Sequence, residues 1–167
     1  MKLVVIRHGQ AGDRAAWESE GRDDRLRPLT PEGKKQTRKA VAGLTTLVPS
    51  IDLLATSPLV RAVQTAEIVA QDYDVDITTV DVLMPESDPD KLVRWLRGQL
   101  SDQTIAVVGH EPHLSTLVGH LLTGTNASFV TLKKSGVCGL ELKDPPKPGG
   151  GTLEWLVTPR ILGKLRE

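Results

Sequence analysis

Cysteine, aromatic side chains and net charge are what this 167-residue chain has least of, and each shortage removes a class of explanation. The single cysteine, Cys138, excludes an internal disulfide framework and a thiolate metal site, and in the apolar run Val137-Cys138-Gly139-Leu140 it reads as a buried, inert thiol. Five aromatic residues are too few for a nucleic-acid stacking platform. Lys plus Arg equals Asp plus Glu, 21 each, so no bulk field draws the chain to nucleic acid, an acidic membrane face or another polyanion. Any affinity for phosphate must be local. The cationic stretch of Lys34, Lys35, Arg38 and Lys39 reads as a solvated helix face. No stretch approaches the ~20 apolar residues of a membrane span. The apolar run Leu3 to Ile6 ends at an arginine after four residues, which describes a strand rather than a signal peptide, and the cytoplasm is the expected compartment. No carboxylate-rich metal motif is present, and no cofactor is expected.

An apolar fraction of 39% and a charged fraction of 25% suit one globular domain spanning residues 1–167. Leu3 to Ile6, Leu53 to Ala55 and Ile105 to Val108 are apolar without alternation, as strands buried on both faces of a parallel sheet are. Between them, helices are expected over Pro31 to Val48 with Thr30 as N-cap, from near Pro58 to about Asp72–Asp74, over Pro89 to Leu100, and over Pro112 to Leu122 with a stop at Gly124. The second of these should turn Val60, Val63, Ala66, Ile68 and Val69 to the core. Further strands are expected at Ile77 to Leu83, Phe129 to Leu132, Val137 to Leu142 and Thr152 to Val157. Ala11 to Arg27, charged and weakly patterned, reads as a long surface loop, either mobile or a lip over a site. The tail after Pro159 has helical character. The fold class is α/β: a three-layer sandwich with a mostly parallel central sheet, helices on both faces and antiparallel strands at one edge.

Three polar clusters follow three of these strands: Arg7-His8-Gly9-Gln10, Ser57 to Arg61, and Gly109-His110-Glu111-Pro112-His113. Ligands of open α/β sheets bind outside the carboxyl ends of the strands, so segments far apart in sequence can meet in one pocket. Arginine offers a planar fork of donors that matches phosphoryl oxygens, and neutral imidazole can attack phosphorus through a ring nitrogen. Arg61, near a helix start, gains from the free N–H groups and dipole there.

Arg7-His8-Gly9 on the first strand, the run Ser57 to Ala66 opening a helix, and Val108-Gly109-His110 ending a later strand together resemble the histidine phosphatase superfamily, the group related to phosphoglycerate mutases. The resemblance covers nearly the whole chain. The short length, Arg27-Pro28-Leu29-Thr30-Pro31-Glu32-Gly33 and Gly109-His110-Glu111-Pro112 look like the bacterial phosphohistidine phosphatases of the SixA type within that family. It implies a phosphoglycerate mutase-like fold, metal-independent chemistry, transient phosphorylation of His8, and phosphoryl oxygens held by Arg7, Arg61 and His110. Gln10 is a further candidate phosphate ligand. For the general acid, Glu86 stands where larger relatives carry a carboxyl group, with Asp88, Asp13 or no acid at all as alternatives, because imidazole leaves phosphorus more readily than an alkoxide.

The implied substrate is a phosphohistidine protein or, alternatively, a small phosphorylated molecule. Mutase action is disfavoured by the lack of the long insertions found in larger relatives. A non-catalytic phosphate-binding or phosphoprotein-binding module would not need His8. His113 has three open readings, namely reaching the pocket, capping a helix or facing solvent, while His120 and Ser57 read as structural.

Overall fold

The computed structural model describes residues 1–166. Its strands are β1 (Lys2–Arg7), β2 (Leu53–Thr56), β3 (Ile77–Thr79), β4 (Thr104–Gly109), β5 (Val137–Leu142) and β6 (Gly151–Val157). They form one sheet in the order β3-β2-β4-β1-β5-β6. The four from β3 to β1 are parallel, and β5 and β6 add antiparallel at the far edge. The helices are α1 (Arg14–Ser19), α2 (Pro31–Leu47), α3 (Val60–Tyr73), α4 (Pro89–Arg97), α5 (His113–Thr123) and α6 (Pro159–Leu162).

The unbroken apolar runs have a simple origin: each central strand feeds two cores. Leu3 and Val5 of β1, with Ile105 and Val107 of β4, pack against Leu92 and Leu96 of α4 and Leu114, Leu117 and Leu121 of α5. Val4 and Ile6, with Ala106 and Val108, pack against Val41 and Leu44 of α2, Ala62, Ala66 and Val69 of α3, and Leu162 of α6. Alternate side chains of a strand point to opposite faces, so a strand covered on both has no polar positions to spare. The expected three-layer α/β architecture is what the chain adopts. Among the described residues no helix is long and apolar enough to cross a membrane. Cys138 is fully buried, and burial pushes its thiol up to about 12.

Four expectations need correction. Ile77 to Leu83 is a strand only as far as Thr79, because its sole partner, β2, ends at Thr56 opposite Thr79; the chain then tightens into a 3-10 turn, Asp81–Leu83, that buries Leu83. Phe129 to Leu132 is not a strand. Its residues pair with no strand; Leu132 and Val130 instead pack into the core that holds Leu114, Leu117 and Leu121 of α5, and the Leu132 carbonyl accepts from Arg7. Helix α3 starts at Val60 rather than near Pro58, and its buried face carries Arg61, Ala62 and Thr65, with Val60 and Val63 only half-buried. Leu59, the residue before the helix, fills the core there instead. Residues 11–27 are not loop throughout: Asp13 caps α1 through Ala16 N–H at 2.7 Å, and Asp23 caps a 3-10 turn, Asp24–Leu26.

Candidate active site

Register brings the three clusters together. β4 lies between β1 and β2, with Arg7 opposite Gly109 and Thr56 opposite Val108. His8 N–H donates to the Gly109 carbonyl and Ser57 N–H to the Val108 carbonyl, each at 3.0 Å, so the first residues beyond the three strands leave the sheet side by side. They open on a cleft of about 630 Å³ lined by Arg7, His8, Gln10, Arg61, Glu86 and His110, among others. A second cavity, of about 370 Å³, lies at the amino ends of β1 and β4 and has no histidine or arginine in its wall.

His8 is held by its own chain. Its Nδ1 lies 2.7 Å from the Gly9 carbonyl, which can only accept, so Nδ1 carries the proton and Nε2 the lone pair. Burial lowers the imidazole to about 4, and the guanidiniums of Arg61, Arg7 and Arg27 push the same way against that carbonyl. At neutral pH His8 is uncharged. Gly9 is fixed in turn: its N–H donates to Thr65 Oγ1 at 3.0 Å, and a Cβ there would strike Thr37 Oγ1.

The His110 ring centre is 5.1 Å from that of His8. His110 Nε2 is 2.8 Å from Ser57 Oγ, which also accepts the Leu59 N–H at 3.3 Å. Burial, followed by the neighbouring charges of His8 and Arg61, lowers His110 to about 2. Arg7 donates through Nη1 to the Leu132 carbonyl at 2.8 Å. Arg61, 5% exposed, donates to the Asp24 carbonyl at 2.9 Å and to Asp24 Oδ2 at 3.2 Å. Burial lowers its pKa, Asp24 opposes that, and the guanidinium stays charged.

Among the residues lining the cleft, Arg7 Nε, Arg61 Nε and His110 Nδ1 are buried nitrogens without a protein partner. An unmatched buried donor costs about 1–3 kcal/mol. Three such nitrogens on residues that line one cleft make it a candidate anion site.

The other candidates fall in several places. Glu86 is exposed at the cleft, and the Gln10 side chain is exposed while its carbonyl accepts the Thr30 N–H. Asp88 caps α4 through Asp90 N–H, and Asp13 lines the cleft while capping α1. His113 begins α5, buried, with both ring nitrogens unpartnered and its pKa lowered by burial; it is not part of the cleft wall. His120 joins α5 to α4 through Asp90 at 2.8 Å. Among the described residues no three His, Cys, Asp or Glu side chains gather in a way that could hold a metal ion.

Sequence reasoning missed Arg14, Asp24, Arg25, Arg27 and Lys134, which also line the cleft. Asp24 accepts from Arg27 Nε at 2.8 Å as well as from Arg61, and its carboxyl is held below the usual range by those arginines against the opposing effect of burial. The only signal available was the charged character of residues 11–27. Polar caps, not apolar periodicity, shape that segment.

The model of the histidine phosphatase superfamily (branch 1) matches residues 3–85. An uncharacterized protein of Picosynechococcus sp. is 33% identical over 143 residues, 84% of each chain. Phosphohistidine phosphatase SixA of Escherichia coli is 26% identical over 163 residues, 95% of this chain and 94% of SixA. A solved structure of the protein histidine phosphatase SixA complexed with tungstate superposes with a TM-score of 0.83 at 26% identity, covering 97% of this chain and 99% of that one. The chain therefore belongs to the histidine phosphatase superfamily and is a phosphatase.

Proposed function

We propose that this phosphatase works through a phosphohistidine intermediate on His8 and that its substrate is a phosphohistidine in a protein. The observation that carries the reading is the pairing of a neutral His8, its lone pair on Nε2, with unmatched nitrogens on Arg7, Arg61 and His110, residues of the same cleft.

In the first step Nε2 attacks the substrate phosphorus in line with the leaving group, a P–N bond forms to His8, and the bond to the leaving group breaks. Arg7, Arg61 and His110 hold the equatorial oxygens, where charge stabilisation contributes most to phosphoryl transfer. In the second step water attacks phosphorus, the P–N bond breaks, and phosphate leaves. His8 starts and ends neutral. Each step is served by donors fixed before substrate arrives.

Two points support phosphohistidine over an alkyl phosphate. Glu86, the carboxyl group best placed by sequence, is exposed at the cleft rather than buried among the cradle residues. Imidazole leaves phosphorus with less help from an acid than an alkoxide needs. The likeness to Escherichia coli SixA over 95% of this chain points to the same substrate.

Wild type and His8→Ala, assayed with a chelator present on a phosphohistidine protein and on sugar phosphates, test both parts. The expected result is turnover of the phosphohistidine protein by wild type, with acid-labile label on the enzyme, and loss of both in His8→Ala. Full activity in His8→Ala refutes the nucleophile; faster turnover of sugar phosphates refutes the substrate class.

A further inference from the structure

Residues 13–26 form a flap over the cleft that is attached to the rest of the molecule in an unusual way. Neither α1 nor the 3-10 turn Asp24–Leu26 buries a residue, so no apolar anchor holds the flap down. Its polar contacts are mostly internal: Asp13 caps Ala16, Arg14 pairs with Glu18 and Asp24, Trp17 Nε1 donates to the Asp23 carbonyl, and Asp23 pairs with Arg25. At its base Arg27 donates to the Gly12 carbonyl, and Ala11 pairs with Leu29. Among the described residues, the hydrogen bonds and ion pairs of 13–26 stay within 12–27 with one exception. That exception is the pair of bonds from Arg61 to Asp24, at 2.9 and 3.2 Å.

We propose that Asp24 is a specificity-determining residue that competes with the substrate phosphoryl group for Arg61, so that the flap is latched by the same guanidinium that binds the anion. The proposal rests on the reading of Arg61 as a phosphoryl ligand. Arg61 is 5% exposed and cannot swing out to serve the two anions separately. Both of its terminal nitrogens are engaged by Asp24, while its Nε has no partner. A phosphoryl group reaching this guanidinium meets a carboxylate already 3.2 Å from Nη2. Two anions sharing one cation repel, and in a partly buried cleft that repulsion is only weakly screened. Binding of phosphate must therefore displace the carboxylate or bear its charge. Displacement frees the flap, since nothing else polar ties it to α3, and opens the cleft mouth to a leaving group as bulky as a protein side chain on its backbone. Arg27 and Arg14, which also pair with Asp24, are positioned to retain the carboxylate once Arg61 is given up.

Calorimetric titration of inorganic phosphate into wild type, Asp24→Asn, Asp24→Ala and Asp24→Glu tests this. Asn keeps the shape and an acceptor oxygen but removes the charge. Asp24→Asn and Asp24→Ala are expected to bind phosphate roughly tenfold more tightly than wild type, a change of about 1.4 kcal/mol. Asp24→Glu, with the charge kept, should stay near wild type. Asp24→Asn keeps an acceptor for Arg61 Nη2 and should unfold near the wild-type midpoint, Asp24→Ala leaves that nitrogen without one and should unfold somewhat earlier, and the midpoint is read alongside. If Asp24→Asn and Asp24→Ala bind phosphate more weakly than wild type, or equally, Asp24 serves to orient Arg61 and the latch is refuted while the cradle stands. If wild type and every variant fail to bind phosphate, the cradle itself is wrong and the latch falls with it.

Discussion

At His8 one backbone carbonyl decides which ring nitrogen keeps the lone pair that the proposed mechanism uses. A neutral imidazole has one N–H and one lone pair, and the Gly9 carbonyl 2.7 Å from Nδ1 takes the N–H, leaving the lone pair on Nε2. Everything therefore depends on where the Gly9 peptide sits. It is wedged: a Cβ at position 9 would strike Thr37 Oγ1 and press Ser135 Oγ at 3.2 Å and a Leu29 methyl at 3.3 Å. Thr37 cannot easily retreat, since its hydroxyl bonds the Gly33 carbonyl and the Ser135 hydroxyl. Gly9→Ala is expected to cost about 1–3 kcal/mol of stability, as overpacking does. It should also lower kcat by turning the His8 ring. Gly12→Ala, three residues on, meets nothing within 4 Å and is the control, with a stability change within about 0.5 kcal/mol. Urea unfolding and steady-state kinetics on the two variants separate a packing requirement at Gly9 from a general intolerance of this loop to side chains.

At the scale of elements, what could be read in the sequence is what apolar burial or a local cap determines. Thr30 caps α2 as its position before Pro31 implies, accepting Gly33 N–H at 2.9 Å, while its own N–H ties to the Gln10 carbonyl at 2.9 Å. Thr30→Ala should thus lose about 1 kcal/mol by urea unfolding, the usual cost of a side-chain cap. A loss much smaller than that would mean the backbone tie alone secures the helix start. The three site segments were legible for a related reason: β1, β2 and β4 announce themselves by unbroken apolar runs, and the residues just past them are then fixed to one sheet edge. The flap was not legible, because α1 buries nothing and its start is made by Asp13 rather than by a hydrophobic face. Asp24 could not have been paired with Arg61 from spacing, since the two are 37 residues apart and meet only through the fold. The Phe129 to Leu132 segment misled for the opposite reason. It has the composition of a strand but pairs with none, and the Leu132 carbonyl serves Arg7 instead.

For the molecule as a whole, the site is built at the expense of acid stability. His8, His110 and His113 are all buried, and each has its pKa lowered, with burial as the first cause. In the unfolded chain a histidine titrates near 6.5. Between that value and the folded one the unfolded state binds more protons than the folded state, so stability rises with pH across the window and is lost as pH falls through it. For His8 the window runs from the ordinary 6.5 down to about 4, and for His110 it extends to about 2. Acidifying from about pH 7 to about pH 4.5 should therefore remove roughly 2–3 kcal/mol on account of His8 alone. His8→Gln, which cannot take up a proton, should lose that much less than wild type over the same interval, by urea unfolding at several pH values. Parallel loss in the two proteins would mean that His8 is solvated enough to protonate freely in the folded state. In that case it would carry a charge through much of the mildly acidic range and could not be the neutral nucleophile that the cradle of Arg7, Arg61 and His110 requires.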